Sequence, residues 1–388
     1  MAMLELTGKA RVSDFLADRM VYRNLNPVDE RLLRFEAIHR QLGLADGYAP
    51  RKSELDYARV VHELLKQAQQ LRSPGRVLRR IVFVGDTRRN DGLTFDNLCQ
   101  VSGLPGAAFI GDETAAPAKV EVAQTAGGHS LYLANRWQVL LDSGDQGFSG
   151  FCLRQGLSVD EGTALLVDLD KTALAARGRN AQVIDAARVQ AVEDTVAEGL
   201  GASFNRRAFR TAYDRLNQPE FHSFTADNQD YLAYICLILG SGLVELEDLV
   251  QDVRAGEISS FAAFISLVAA RSGRLDGGLC DLHAEIYARF QQGDPTPFKA
   301  FRRKEYLATI RRLGCLGDEV PLAERLEKEI VITAEVLSLA VDWAARGALV
   351  FGLSDKPDEA SLPTVELAAQ GYQAIHRTLT HVVGSAGN

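Results

Sequence analysis

The chain has 388 residues, of which 46% are hydrophobic and 24% charged, and its formal net charge is −8. That length allows two or three domains, the composition is that of a globular protein, and the acidic balance argues against broad binding to nucleic acid or to an anionic membrane. The five cysteines (Cys99, Cys152, Cys236, Cys280 and Cys315) are dispersed and odd in number, with no C-x-x-C pair. Structural zinc and a disulfide framework are therefore not expected, and a reducing, cytoplasmic setting is.

The start, Met1-Ala2-Met3-Leu4-Glu5-Leu6, lacks the basic-then-apolar order of a signal peptide. Apolar residues at helical spacing over residues 12–23 and 27–42 predict a helical N-terminal segment, 1–45, ended by Asp46-Gly47 and Pro50. A further helix is expected from Ser53, with Leu55, Ala58, Val61, Leu64 and Leu65 on one face, stopped by Ser73-Pro74-Gly75. Three short apolar runs follow. Ile81-Val82-Phe83-Val84 ends in Gly85-Asp86, Ala107-Ala108-Phe109-Ile110 ends in Gly111-Asp112, and Leu131-Tyr132-Leu133 follows Gly127-Gly128. Their length and β-branched or aromatic content favour buried strands. Residues 137–153 read as helical.

The run Leu165-Leu166-Val167-Asp168-Leu169-Asp170-Lys171-Thr172 is the most informative. It is a short strand that ends on two carboxylates. In an open α/β sheet, strand C-termini face the ligand crevice. Strand alternation sends Asp168 and Asp170 the same way if the extension persists. Two such carboxylates repel unless a cation or a shared proton intervenes, so the run by itself predicts a Mg²⁺-type site. A helix cap at Asp170 or Thr172 is the structural alternative.

From about residue 178 to residue 329 the strand signal almost disappears. Stripes such as Val189, Val192, Val196 and Leu200, or Phe261, Phe264, Ile265 and Val268, are helical. The longest apolar run, residues 231–244, is too short and too glycine-interrupted to span a bilayer and reads as a buried helix. Ile330-Val331-Ile332 leads into a helix through Trp343. Ala348-Leu349-Val350-Phe351-Gly352-Leu353 is a strand that ends in Ser354-Asp355-Lys356-Pro357. A helix over 364–371 and an edge strand over 380–383 complete the chain. The basic clusters Arg76, Arg79, Arg80 and Arg302, Arg303, Lys304 read as solvated faces or helix ends.

Asp168-Leu169-Asp170-Lys171-Thr172 resembles motif I, Asp-x-Asp-x-Thr, of the haloacid dehalogenase (HAD) superfamily. Leu353-Ser354-Asp355-Lys356-Pro357 resembles its motif II in the Thr-Asn-Lys-Pro form. Gly85-Asp86-Thr87-Arg88-Arg89-Asn90-Asp91 resembles its acidic motif IV, and Lys52, at a helix start, stands where a motif III lysine would. Arg51 and Lys356 are alternatives for that lysine. In this family the motifs meet at the C-terminal ends of a parallel sheet, in the order I to IV. Here motifs III and IV precede motif I, and only about 34 residues follow Ser354, too few for them to recur. The resemblance therefore implies a circular permutation, which chain termini close together at a surface tolerate.

The implied fold is α/β: a doubly wound parallel sheet forming a HAD-like Rossmannoid core, circularly permuted, with an inserted all-helical cap domain. Its expected parts are 1–45, an N-terminal helical segment; 46–176, the first part of the core; 177–334, the cap; and 335–388, the second part of the core. The motif IV and motif I strands should lie side by side, with the motif II strand beyond.

The resemblance also implies a Mg²⁺-dependent phosphatase acting on a small organic phosphate ester. In that scheme Asp168 is the nucleophile, Asp170 the acid and base, Ser354 a phosphoryl hydrogen-bond donor, and Lys52 the charge-balancing cation. Asp168, Asp170 (through its carbonyl), Asp86 and Asp91 hold the ion, and hard oxygen ligands suit it. Tyr213, Asn217, His222, Arg302 and Arg303 are candidate substrate contacts from the cap. His222 and His283 have no partners at metal-ligand spacing. There is no Gly-x-Ser-x-Gly elbow and no phosphate-binding glycine loop after a strand. Two other readings remain: a catalytically inactive HAD-like interaction or regulatory protein, and a phosphotransferase using the same site.

Overall fold

The apolar runs around Phe83, Phe109 and Leu166 are fully buried strands, and they form the middle of a seven-stranded sheet. The computed structural model describes residues 3–45, 49–144 and 147–386, so the Asp46-Gly47 break lies outside the described residues. Ten strands occur among them: β1 (Leu4–Ala10), β2 (Met20–Val21), β3 (Arg80–Gly85), β4 (Gly106–Gly111), β5 (Val120–Gln124), β6 (Ser130–Ala134), β7 (Thr163–Asp168), β8 (Ile332–Thr333), β9 (Leu349–Leu353) and β10 (Thr380–Ser385).

The main sheet has the order β2-β9-β7-β3-β4-β6-β5, and only the β5–β6 pair is antiparallel. Parallel strands buried on both faces read as continuous apolar runs, which is why they were legible in the sequence. Helices flank the sheet. Tyr57, Val61, Leu64 and Leu65 of the helix Leu55–Arg72 join Ile81, Phe83, Phe95 and Phe351 in one buried cluster. Strand β7 lies between β3 and β9, the spatial order anticipated from the motifs. Val84 pairs with Val167, and Asp168 pairs with Leu353. The ends of β3, β7 and β9 thus come level.

Two expectations about the termini are corrected. Residues 1–45 are not predominantly helical: β1 and β2 lie there, beside the helices Ser13–Leu16 and Phe35–Leu42. Val12, Phe15 and Leu16 do make one helical turn, but Met20, Val21 and Tyr22 are a continuous buried run. The apolar spacing of 12–23 merged a turn with a short strand. The C-terminal strand is not the edge of the main sheet either. β10 lies between β1 and β8 in a separate three-stranded sheet, and β2 occupies the edge beside β9.

The chain divides into two compact units, residues 1–186 with 309–388, and residues 187–308. The inserted unit is thus shorter than the expected 177–334. The flanking segments belong to the sheet-bearing unit because polar contacts hold them there. Arg179 forms ion pairs with Glu113 and Glu335, and the Ile330 amide donates to the Arg312 carbonyl.

The unit 187–308 is helical. It includes the helices Arg206–Leu216, Gln229–Gly240, Leu246–Ala255, Phe261–Arg271 and Gly277–Gln291. The side chains of Asn205, Ser260 and Asp276 cap helix starts, each accepting one of the first-turn backbone amides that a helix leaves without a partner. Phe261, Phe264, Ile265 and Val268 all face its core, and the rings of Tyr231 and Phe261 stack 3.8 Å apart. Among the described residues no helix is long and apolar enough to cross a membrane.

Candidate active site

Asp168 is the last residue of β7 and is 6% exposed. The chain turns at Leu169, and Lys171 takes a left-handed conformation with φ of 64°. Strand extension therefore stops, and the carboxylates of Asp168 and Asp170 part. Asp168 meets two carboxylates that arrive after β3: Asp86, one residue past that strand, and Asp91, the first residue of the helix Asp91–Ser102. One oxygen from each of Asp86, Asp91 and Asp168 lies within 4.8 Å of the others, and all three residues are buried. The carboxylate of Asp170 is not in this cluster. It faces Lys356, at 3.6 Å.

Lys52 sits in the same buried place. Its Nζ donates to Asp168 Oδ1 at 2.5 Å and to Asp91 Oδ1 at 2.7 Å, and it is 4% exposed. The segment that carries it is held by the helix Asp91–Ser102: the Thr94 hydroxyl donates to the Lys52 carbonyl, and the Asn97 amide to that of Ser53. Arg51 is exposed, so among the three candidates for this cation the structure brings Lys52 to the carboxylates.

Asp91 is tied down from both sides. Its Oδ2 accepts from the amides of Asp86 and Thr87 and from the Thr87 hydroxyl. Gly85 makes room for it. A Cβ there would stand 2.6 Å from Asp91 Cβ and 2.8 Å from its Oδ2.

Three carboxylates cannot share a buried space without large effects on their protonation. Burial pushes Asp168 well above the usual carboxylate range against the opposing Lys52 charge, and Asp91 and Asp86 push it further. Burial and then the Asp91 charge raise Asp86 to about 7. For Asp91 burial acts upward, but the Lys52 ammonium and the hydrogen bonds outweigh it and hold the group low. Burial would depress Lys52, but the charges of Asp168 and Asp91 prevail and keep it well above its ordinary value. Clusters of strongly perturbed groups in a crevice mark functional sites more often than chance.

Ser354 follows the residue paired with Asp168 and is fully buried. Its Oγ accepts the Lys356 amide at 3.1 Å, which leaves the hydroxyl proton for another acceptor.

Sequence reasoning missed Arg177. Its Nε donates to Asp86 Oδ2 at 2.6 Å. Nothing local distinguishes this arginine from Arg179, two positions on, which is buried in a structural ion pair. Arg302, a candidate substrate contact, is corrected. It is 7% exposed and committed to Asp230 and Glu305, both fully buried. It is therefore neither solvated nor free for a ligand. Tyr213 is also buried, and its hydroxyl donates to Gln229. Asn217 accepts from that same Gln229 side chain, and His222 is 3.7 Å from Asp227.

Comparison of the chain with protein-family models, with curated proteins and with solved structures finds no match.

Proposed function

We propose that the protein is a Mg²⁺-dependent phosphatase of a small organic phosphate ester, with a circularly permuted HAD-like core and the helical unit as its cap. The observation that carries this reading is the Lys52-bridged cluster of Asp86, Asp91 and Asp168 at the C-terminal ends of adjacent parallel strands. The strand sequence β9–β7–β3 supports it, since it is the order the motifs require in space.

The donor chemistry fits magnesium: three carboxylates supply hard oxygens within one ion's reach. Asp86, Asp91 and Asp168 would hold the ion, with the carbonyl of Asp170 as the further ligand the resemblance implies. The ion would supply charge neutralisation for the phosphoryl oxygens.

The chain's own residues account for the remaining steps. An oxygen of Asp168 attacks phosphorus, and the bond from phosphorus to the leaving oxygen breaks. Asp170 gives that oxygen its proton, and an aspartyl-phosphate stands on Asp168. Water then attacks the phosphorus and passes a proton to Asp170, and the bond to Asp168 breaks to release phosphate. Lys52 offsets the negative charge around Asp168 throughout, and the Ser354 hydroxyl donates to a phosphoryl oxygen.

The test is phosphate release from a panel of phosphomonoesters, with and without Mg²⁺, for the wild type and Asp168→Asn. Mg²⁺-dependent release that the substitution abolishes is the expected result. An added alcohol acceptor distinguishes a phosphotransferase, which would yield a new ester. No release from any ester, together with no Mg²⁺ binding, would overturn the reading in favour of an inactive interaction protein.

A further inference from the structure

The chain that leaves β2 turns back on itself: the Leu25 amide donates to the Tyr22 carbonyl, and the Val28 amide to that of Met20. Arg23 stands in this turn, just past the C-terminal end of β2. Val21 pairs with Leu353, and Leu353 with Asp168. The end of β2 therefore lies two strand spacings, roughly 10 Å, from the end of β7. Two loops of the candidate site hold Arg23. Its amide donates to the Lys356 carbonyl at 3.0 Å. Its guanidinium donates through Nη1 to the Pro50 carbonyl at 2.9 Å and through Nη2 to that of Ala49 at 3.3 Å, in the segment that leads to Lys52.

Arg23 is 8% exposed, close to the 6% of Asp168 and the 4% of Lys52. A buried guanidinium is ordinarily paired with a carboxylate. Arg23 has no such pair among the described residues, where two carbonyls are the acceptors its side chain meets. Asp355 supplies the largest attractive charge without bonding to it. Tyr57 is a second donor in want of an acceptor. Its ring joins Val21 and Leu353 in one buried cluster, it is fully buried, and its hydroxyl has no hydrogen-bond partner among the described residues. Buried hydroxyls seldom go unpaired. The charges of Lys52, Asp355, Arg23 and Asp168 all act on this hydroxyl, which puts it in the space shared by Arg23 and the Lys52 end of the carboxylate cluster. Burial raises the phenol, so it stays protonated and able to donate.

A guanidinium and a phenol both offer protons, and an anionic oxygen group accepts from both. The phosphoryl group that reacts is already met by Lys52, Ser354 and the ion, so the acceptor here is a different group. We propose that Arg23 and Tyr57 bind a second anionic group of the substrate, a carboxylate or a further phosphate on the organic part of the ester. The proposal rests on the phosphatase reading for the chemistry, but not for the binding. It gives part of the substrate choice to the core, where the sequence had pointed to the helical unit alone.

Two pairs of esters differ by one anionic group each. 3-Phosphoglycerate has a carboxylate where glycerol 3-phosphate has a hydroxymethyl group, and fructose 1,6-bisphosphate has a second phosphate where fructose 6-phosphate has a hydroxyl. The wild type is expected to favour the more anionic member of one pair in kcat/KM, and that pair names the group. The advantage should fall roughly ten- to a hundredfold in Arg23→Gln and roughly three- to tenfold in Tyr57→Phe. If Arg23 merely ties down the segment before Lys52, both members of a pair decline together and the ratio stays. Tyr57→Phe removes an unpaired hydroxyl and should not lower the melting midpoint, so its loss of selectivity is not a loss of fold. No advantage in the wild type, or an advantage that either variant leaves unchanged, would overturn the proposal. If the wild type hydrolyses no ester, the phosphatase reading fails separately, and calorimetric titration with the same four compounds decides the subsite. Tighter binding of the more anionic member that both variants lose sustains it, and binding that is absent or lacks that preference rejects it.

Discussion

Lys52 and Asp168 are 116 positions apart in the chain, and Nζ meets Oδ1 at 2.5 Å in a space almost closed to solvent. The same ammonium reaches Asp91, so one positive charge separates two buried carboxylates. Removing one member of such a group leaves charge uncompensated and costs about 3–5 kcal/mol. Lys52→Met should therefore lower the denaturation free energy by about that amount without Mg²⁺, and added Mg²⁺ should recover part of the loss. Denaturant unfolding with and without the ion measures both. An unchanged midpoint would show that Lys52 does not balance these carboxylates.

Gly85→Ala tests the space given to Asp91. The new Cβ would fall 2.6 Å from Asp91 Cβ, closer than such atoms approach in proteins. Overpacking of this kind typically costs about 1–3 kcal/mol. The displaced Asp91 would also lose its bonds to the Asp86 and Thr87 amides. The expected outcome is a lower unfolding midpoint together with weaker Mg²⁺ binding. A loss of stability with full Mg²⁺ affinity would show that Asp91 is not a ligand.

Arg177 competes with a cation for Asp86, through the 2.6 Å contact of its Nε with Oδ2. Its side chain is partly solvated, so the pair contributes about 1 kcal/mol or less. Arg177→Gln should raise Mg²⁺ affinity by up to roughly fivefold. Isothermal titration of wild type and variant measures it, and weaker binding in the variant would mean that Arg177 supports the ion's site.

In the helical unit, Arg302 lies between Asp230 and Glu305, with contacts of 2.5 and 2.6 Å. Asp230→Ala should destabilise that unit by about 3–5 kcal/mol, because Arg302 and Glu305 stay buried without their third member. Hydrogen exchange in residues 187–308 reports it locally. Protection unchanged there would show that the network is not a stabilising element.

His376 gives a pH dependence. It is fully buried, with Nδ1 accepting from the Tyr22 hydroxyl at 3.0 Å and Nε2 facing Asp18 at 3.3 Å. Burial holds its pKa below the ordinary histidine value, against the opposing pull of Asp18. The unfolded chain therefore takes up the proton first. The stability contributed by the neutral ring is complete above about pH 6.5 and is lost as the pH falls through the lower folded-state value. Burial also lowers His283, in the helical unit, so the two act in the same direction. The raised carboxyls of Asp86 and Asp168 act in the opposite direction, so the readout is the difference: relative to the wild type, the melting midpoint of His376→Gln should rise as the pH is lowered from about 7 to about 5.5. An equal slope in the variant would assign the effect elsewhere.

The centre of the main sheet was legible because each of its strands is buried on both faces. Ile81 to Val84 and Leu165 to Val167 are apolar without interruption, and no long-range information is needed to recognise them. The helical stripe Phe261, Phe264, Ile265 and Val268 is equally local. The termini were less legible. β2 is two residues long and exists because β9 pairs with it, and β10 could not be assigned to a sheet until β1 and β8 were seen on either side. Asp86, Asp91, Asp168 and Lys52 were picked out from motif-like spacing. The separation of Asp170 from them was not, because it follows from the end of β7 at Asp168 and the turn at Leu169.

The sequence alone determined the element types over most of the chain and the identity of the carboxylates available at strand ends. Both depend on residues within a few positions of one another. The tertiary structure decided which cation enters the carboxylate cluster, that Arg177 joins Asp86, that Arg302 is spent inside the helical unit, and where β10 pairs. These outcomes turn on contacts that range from Arg302–Glu305, on adjacent turns of one helix, to the pairing of Leu4 with Ser385 near opposite ends of the chain. In the buried cases the geometry that selects one partner over another is set by packing, which no local pattern records.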